Sequence, residues 1–310
     1  MEDAMRTQLP LALLAVAAAC SIASAPAYAR ARVFVASYGN DANPCTFGSP
    51  CKTFQQAVNV VDVGGEVTAI DSAGFGPINI TKSVTITSPN GVEAGIIPVA
   101  SGDAIDINAG PNDAIVLRGL TLNGSGVGGN GVVFNSGGSL TGTNCTAQNF
   151  TDGSGILIGP TSGTVDVVII KSITANVAGG LGAGIRLVAS GDAIINAVID
   201  HVVATGNDYG IAADPNSSGL TAVAISNSVA SNNLITGIAG SSGISGGLGV
   251  SIDNVTASGN SFGIAMAGQA RVLLGRSIIT GNGTGIDNTT SPNSFFTTRT
   301  IVSPAISKPI

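Results

Sequence analysis

The amino-acid sequence predicts an all-β protein built as a parallel β-solenoid of roughly ten coils. The first observation is a repeat about every 22 to 29 residues. The second is an Asn that precedes a Gly by three or four residues in each of the later repeats, with short Ile, Val and Ala stretches beside it. These features predict a turn at the same place in every copy, flanked by strands. Seven Gly-hydrophobic pairs mark the repeat: Gly131-Val132, Gly155-Ile156, Gly184-Ile185, Gly210-Ile211, Gly237-Ile238, Gly263-Ile264 and Gly285-Ile286.

Each copy divides into three short strands. In one copy the apolar stretches lie at 193–199, 202–204 and 210–213, with bend residues between them. A helix would need apolar residues spaced by three and four over a longer stretch free of Gly, and this copy has no such stretch. Successive copies can stack strand on strand about 4.8 Å apart, and small inward side chains suit a narrow core.

Alignment of the copies on the turn Asn predicts vertical columns of equivalent residues. The turn residues are Asn207, Asn233, Asn260 and Asn282. A wholly apolar column, predicted to face the core, contains Ile199, Ile225, Ile252 and Leu274. The next column, predicted to face solvent, contains Asp200, Ser226, Asp253 and Gly275. A third column lies at a bend that suits left-handed Asn and amide bonds between copies, and it contains His201, Asn227, Asn254 and Arg276.

Residues 1–29 are predicted to be a signal peptide that is removed on export. An apolar run at 9–19 is too short to span a bilayer and has the length of a signal-peptide core. Ala27-Tyr28-Ala29 matches a cleavage site, so the mature chain is expected to begin at Arg30. Met5 gives a better start than Met1, because Glu2 and Asp3 are acidic where such peptides are basic. The expected location is secreted, periplasmic or on the cell surface.

Residues 30–65 are predicted to form an N-terminal cap containing a short helix. Thr53 and Gln56 have the spacing of a capping box, and apolar residues follow at helical spacing up to Gly64. Such a helix would cover the first coil, whose open edge needs protection. Residues 66–294 are predicted to form the solenoid, and 295–310 an irregular tail interrupted by Pro304 and Pro309.

Three cysteines would remain after removal of the leader. Cys45 and Cys51 bracket a tight Pro- and Gly-containing segment, and in an oxidising compartment they are predicted to form a disulfide. Zinc is the weaker alternative, because it needs four ligands and His201 is the only histidine. Cys145 is predicted to be a buried, unreactive side chain.

The composition excludes some classes of partner. A net charge of −6 argues against nucleic acid, whose phosphates need a basic face. No segment of the expected mature chain is long and apolar enough to span a membrane. The chain has no Trp and few Tyr, so the sequence shows no evident aromatic sugar-binding site. No cofactor is expected: the Gly-rich run at 179–184 is similar to a calcium-binding repeat but lacks its Asp.

Several segments resemble a known group of proteins. Residues 33–44, 49–57, 65–66 and 80–86 look like the N-terminal cap and first coils of secreted bacterial right-handed parallel β-helix proteins of the pectin-lyase-like superfamily. The pattern I-D-N-x-x-A-S-G-N-x-x-G-I at 252–264 is similar to their repeat unit. The resemblance covers nearly all of the mature chain and implies that the solenoid is right-handed. It does not imply one activity, because the superfamily includes lyases, hydrolases, epimerases and non-enzymatic surface proteins.

The candidate catalytic residues are Asp200, His201, Asp253 and Arg276, with Lys171 one coil earlier. Enzymes that cleave acidic polysaccharides on this fold use an Arg or Lys base beside carboxylate-bound calcium, or paired carboxylic acids. The two Asp would stand two coils apart, with about 9 to 10 Å between backbones. That spacing suits an inverting pair or a bridging cation, although exposed Asp beside turns is ordinary in structural proteins.

The sequence therefore predicts a secreted or cell-surface β-helix module that contacts polysaccharide and has no recognisable catalytic set. A polysaccharide lyase or glycoside hydrolase acting from the Asp200–Arg276 face is the first alternative. A structural or adhesive surface protein is the second. The oligomeric state is left open.

Overall fold

The computed structural model describes residues 30–288 except 127, 179–181, 217 and 244, together with the backbone of 295–299. Residues 1–29, predicted as the signal peptide, lie outside the described residues. The described chain is a right-handed parallel β-solenoid of about eight turns with three parallel sheets and one helix. This is fewer than the roughly ten coils predicted, because bends make some coils long: Thr164 pairs with Ile194, thirty positions later.

Each turn contributes one strand to each sheet, and all strand pairs between neighbouring turns are parallel. Strands are numbered in chain order. Sheet 1 contains β1 (Arg32–Val35), β2 (Glu66–Ala69), β5 (Val84–Thr87), β8 (Ala114–Arg118), β11 (Ser139–Thr143), β14 (Thr164–Ile170), β17 (Ile194–Asp200), β20 (Leu220–Ser226), β23 (Gly247–Asp253), β26 (Ala270–Gly275) and β29 (Phe295–Arg299).

The other two sheets have shorter strands in most turns. Sheet 2 contains β3 (Ala73–Gly74), β6 (Ala94–Ile96), β9 (Leu120–Asn123), β12 (Thr146–Gln148), β15 (Ile173–Ala175), β18 (Val203–Thr205), β21 (Val229–Ser231), β24 (Thr256–Ser258) and β27 (Ile278–Thr280). Sheet 3 contains β4 (Ile78–Ile80), β7 (Ile105–Asn108), β10 (Val132–Ser136), β13 (Ile156–Ile158), β16 (Ala183–Leu187), β19 (Tyr209–Ala213), β22 (Thr236–Ser242), β25 (Phe262–Gly268) and β28 (Thr284–Asp287).

The N-terminal cap contains the predicted helix, α1 (Phe54–Val60), which contacts β1, β2 and β4. Thr53 Oγ1 accepts a hydrogen bond from the backbone N–H of Gln56, as a capping box requires. The reciprocal bond differs, because the backbone N–H of Thr53 donates to Asp41 Oδ1 at 2.9 Å. The cap also contributes β1, which pairs with β2 and extends sheet 1.

The core is a stack of aliphatic columns, and the predicted strand register is confirmed. The inward column pairs Ile199 with Ile225, Ile225 with Ile252, and Ile252 with Leu274. Ile252 and Ile264, both predicted to face the core, are buried. Burial of such columns is the main favourable term in folding.

The turn Asn residues form a buried ladder between sheets 2 and 3. Asn207 Nδ2 donates to the carbonyl of Thr174 and to Asn233 Oδ1, both at 3.2 Å. Asn233 repeats this with Asn260, and Asn260 with Asn282, at 3.0 and 2.9 Å. The backbone N–H of each also donates to the next Oδ1. Amides that satisfy both donors and acceptors can be buried without a large desolvation cost.

The ladder explains why Gly recurs in the repeat. A Cβ at Gly237 would lie 2.8 Å from Asn260 Nδ2 and 2.7 Å from the carbonyl oxygen of Gly263. Gly210 stands in the same relation to Asn233, also at 2.8 Å. The glycines at 184, 210, 237 and 263 therefore make room for the Asn of the following coil.

The C-terminal segment differs from the irregular tail predicted for 295–310. Phe295–Arg299 forms β29, which pairs in parallel with β26. The prolines on which the prediction rested, Pro304 and Pro309, both lie outside these five residues. A strand needs no Asn-Gly turn of its own to pair with the preceding coil, so loss of the repeat signature did not end sheet 1. Residues 300–310 lie outside the described residues.

Candidate functional site

The four candidate residues lie at the bend between sheets 1 and 2, at the ends of β17 and β23 and just after β26. Asp200 pairs with Ser226, and Ser226 with Asp253, so the two carboxylates lie two coils apart in one outward column. His201 and Arg276 lie in the neighbouring column at the bend. The structure thus places the candidates on one exposed edge, named here the acidic edge.

The bend column has left-handed backbone in six consecutive coils. Its φ angles lie between 38° and 53° at Asn144, Lys171, His201, Asn227, Asn254 and Arg276. Asn tolerates this conformation, whereas it costs a Lys, His or Arg about 1 kcal/mol. The predicted amide contact is present, because Asn254 Nδ2 donates to Asn227 Oδ1 at 2.7 Å.

Asp200 is the most heavily hydrogen-bonded carboxylate of this edge. Its Oδ1 accepts from Ser226 Oγ and from Asn227 Nδ2, each at 2.7 Å. Its Oδ2 lies 2.6 Å from His201 Nδ1. The bonds from Ser226, Asn227 and His201 lower the pKa of Asp200 to about 2. Asp200 is therefore ionised near neutral pH.

Asp253 forms a two-point ion pair with Arg276. The guanidinium Nε donates to Asp253 Oδ1 at 3.0 Å, and a second guanidinium nitrogen donates to Oδ2. This hydrogen bonding lowers the pKa of Asp253. Both carboxylates of the acidic edge are thus held in the anionic form, and each has a basic neighbour.

The outer face of sheet 1 contains a groove that the sequence did not predict. Outward residues of five strands, β14, β17, β20, β23 and β26, line this groove of about 1020 Å³. At its centre the outward residues are small: Ala222, Ala224, Gly249 and Ser251. The surrounding outward residues are larger, and they are Asp166, Val168, Asn196, Val198, Arg271 and Leu273.

The groove continues into the acidic edge along the strands. On β17 the outward residues are Ile194, Asn196, Val198 and then Asp200. Asn196 Nδ2 donates to Asp166 Oδ1 at 3.1 Å, which fixes polar groups at one end of the groove. Val198 and Leu273 are 43% and 56% exposed, so apolar surface is available on both sides of the small central residues. The combined surface offers apolar contact in its centre and hydrogen-bonding groups at its margins.

The cysteines are as predicted. Cys45 and Cys51 form a disulfide with a Cα–Cα distance of 4.6 Å. Cys145 is free and buried, and burial raises the pKa of its thiol. In the described part of the chain, no three His, Cys, Asp or Glu side chains are grouped as a metal site would need. The described residues also include no helix with the length and apolar character of a membrane span.

Comparison with known proteins gives a likeness of fold. Pectate lyase Pel9A matches with a TM-score of 0.53 and 16% identity, over 89% of this chain and 78% of that chain. A rhamnogalacturonan lyase matches with a TM-score of 0.49 and 11% identity, over 90% of this chain and 89% of that chain. No family model and no curated protein matches the sequence. The match to Pel9A shows that the chain has the parallel β-helix fold that the resemblance implied.

Proposed function

We propose that this chain is an exported β-helix module that binds extracellular polysaccharide along the outer face of sheet 1 and does not cleave it. The groove on that face is the observation that carries the proposal. Its small central residues leave room for a chain of sugar rings across five coils. The apolar side chains around its centre and the polar groups at its margins provide both kinds of contact that sugar rings need.

The structural neighbour supports the choice of ligand class. Pectate lyase Pel9A is a lyase of a polysaccharide by its name, and it shares the fold over most of both chains. We extend to this protein only the ligand class, since the likeness is one of fold. Export is the expectation from the predicted signal peptide at 1–29 and the Cys45–Cys51 disulfide.

The protonation of the acidic edge favours binding over hydrolysis. An inverting glycosidase needs one protonated carboxylic acid as a general acid, with a raised pKa. The pKa of Asp200 and that of Asp253 are both lowered. Both side chains also accept hydrogen bonds from neighbours, which weakens them as bases or nucleophiles. A polysaccharide lyase working from Arg276 is the remaining enzymatic alternative.

Filling the groove tests the binding site. Ala224→Trp should weaken binding to a responsive polysaccharide by tenfold or more, because its side chain projects into the groove centre. Val203→Trp is the matched control, since Val203 is exposed on sheet 2, outside the groove. Affinity gel electrophoresis against acidic and neutral polysaccharides measures both variants. Equal binding by wild type and Ala224→Trp would refute the proposed surface.

Catalysis is tested with the double variant Asp200→Asn with Asp253→Asn. We expect no unsaturated product and no new reducing ends from the wild type on the same polysaccharides. We also expect the double variant to keep its fold. A cleavage activity that this variant abolishes while it remains folded under the assay conditions would make the lyase or hydrolase alternative correct.

A further inference from the structure

The outer face of sheet 3 carries a second groove, of about 620 Å³, between β16 and β28. Arg186, Ala212, Ala239, Ala265 and Asp287 follow each other in one column through five coils. Ala239 and Ala265 form a flat floor, Asp287 lies at one end and Arg186 at the other, while Ala212 is buried and does not line the groove. This column lies on a different sheet from the acidic edge.

Two aromatic side chains stand along one wall of this groove. Tyr209 pairs with Thr236, and Thr236 with Phe262, so the rings lie two coils apart in one column. Both rings are half-buried and line the groove. By contrast, the partly exposed Phe34 contacts the ring of Phe47 in the N-terminal cap, 5.4 Å away. Tyr209 and Phe262 therefore present ring surface to whatever occupies the groove.

An ion pair lies at one end of the same groove. Arg186 donates to Asp214 Oδ2 at 3.2 Å, and both side chains are largely buried, at 23% and 28% exposure. Burial raises the pKa of Asp214, against the opposing effect of Arg186. A guanidinium and a carboxylate held together offer donors and acceptors in a fixed plane.

We propose that this groove is a second binding site and that its ligand is a neutral sugar ring of an oligosaccharide. Aromatic faces contact the C–H surface of a pyranose, and the Arg186–Asp214 pair provides fixed partners for its hydroxyl groups. Among the described lining residues, two carboxylates accompany one guanidinium. That balance disfavours anionic uronic acids and selects uncharged sugars.

The test is titration calorimetry of the full protein with neutral xylo- and gluco-oligosaccharides and with oligogalacturonate. Ala239→Trp fills the floor of this groove and should weaken binding of a neutral oligosaccharide by about tenfold or more. Ala224→Trp, which fills the groove on sheet 1, should remove any binding at that groove and leave the binding that Ala239→Trp weakens. This pair separates the second site from the proposed function, because each variant blocks one groove.

Phe262→Leu provides a second variant in case Ala239→Trp fails to fold. Loss of the ring face should weaken binding about tenfold while thermal melting stays near that of the wild type. The proposal is overturned if wild type binds none of the neutral oligosaccharides, or if it binds oligogalacturonate more tightly at this groove. It is also overturned if folded Ala239→Trp or Phe262→Leu binds them with wild-type affinity.

Discussion

The coils contain two stacks of polar residues at neighbouring bends, and the two stacks differ in how freely they vary. Between sheets 2 and 3 the stack is Asn in four successive coils, and each member is buried. Between sheets 1 and 2 the exposed stack contains Asn, Lys, His and Arg. The buried stack keeps one residue type because a misfit would leave polar groups without partners, which is costly inside a protein. The uniformity of these four Asn residues therefore reflects the burial of their hydrogen-bonded amides.

Asn233→Ala, in the buried stack, should cause the largest loss of stability. It removes partners from the carbonyl of Ala204 and from the amides of Asn207 and Asn260, all of them inside the solenoid. We expect a loss of about 3 kcal/mol or more in the free energy of unfolding, measured by urea denaturation.

The matched change in the exposed stack is Asn227→Gly. Glycine adopts the left-handed backbone of Asn227, and water can replace its bond to Asp200. The expected loss is below about 1 kcal/mol. Equal losses for Asn227→Gly and Asn233→Ala would contradict the claim that burial separates the stacks.

Gly237→Ala should have the next largest effect. The added methyl group would press on Asn260 Nδ2 and on the backbone of the next coil, at a cost of about 1–3 kcal/mol. Gly249→Ala is the control, because an added Cβ there meets nothing within 4 Å. Thermal melting compares the stability of the two variants. If Gly237→Ala melts at the wild-type temperature, the ladder accommodates an added methyl group without loss of stability.

Acid should reduce the stability that Asp200 contributes through its hydrogen bonds to the exposed stack. Its folded pKa of about 2 lies below the ordinary value of 3.8, so its contribution is present above about pH 4. The contribution is lost as the pH falls toward 2. We therefore expect Asp200→Asn to be less stable than wild type near neutral pH and to approach it in acid. Urea denaturation across this range measures the difference.

Asn254→Gly is the control for that pH series. Asn254 belongs to the same stack but donates to Asn227 rather than to Asp200. Its stability difference from wild type should stay constant over the same pH range. A constant difference for Asp200→Asn would instead mean that its hydrogen bonds contribute nothing to folding.

Lys171→Asn should give the smallest effect, and a favourable one. Lys171 has φ of 51°, a conformation that Asn adopts more readily than Lys. A gain of about 0.5–1 kcal/mol is expected. The reverse change in the preceding coil, Asn144→Lys, should lose a similar amount. If Lys171→Asn melts at a lower temperature than wild type, the Lys171 side chain stabilises the fold by more than its left-handed backbone costs.

Much of the fold was predictable because the aliphatic columns repeat. The apolar column through Ile199 and Ile252 set the register, and that register placed Asp200 and Asp253 in one outward column. The buried ladder was not distinguished from an ordinary turn, because Asn207 and Asn227 both follow short apolar strands. Burial depends on the direction of the bend, which the residue type alone does not give.

The candidate site was only partly predictable. The acidic edge could be found because charged residues are rare in this chain. The two grooves could not, because small outward residues such as Ala224 and Ala239 carry no chemical signal of their own. They form a groove only when the strands of neighbouring coils are stacked side by side. The strand at Phe295–Arg299 was missed for a related reason, since its partner strand rather than a local motif defines it.

The Asn ladder also has a direction. From Asn207 to Asn260, each side-chain amide donates one hydrogen bond to the Oδ1 of the next Asn toward the C-terminal end. The second bond of each Nδ2 returns to a carbonyl of the preceding coil. The ladder begins where the backbone N–H of Val177 donates to Asn207 Oδ1. Before that point the stack contains apolar Phe150 and Val177. A duplicated coil inserted between Asn207 and Asn233 would therefore continue every amide bond, whereas the same insert ahead of Val177 would have none to join. We therefore expect the solenoid to accept additional copies of a coil in its C-terminal half.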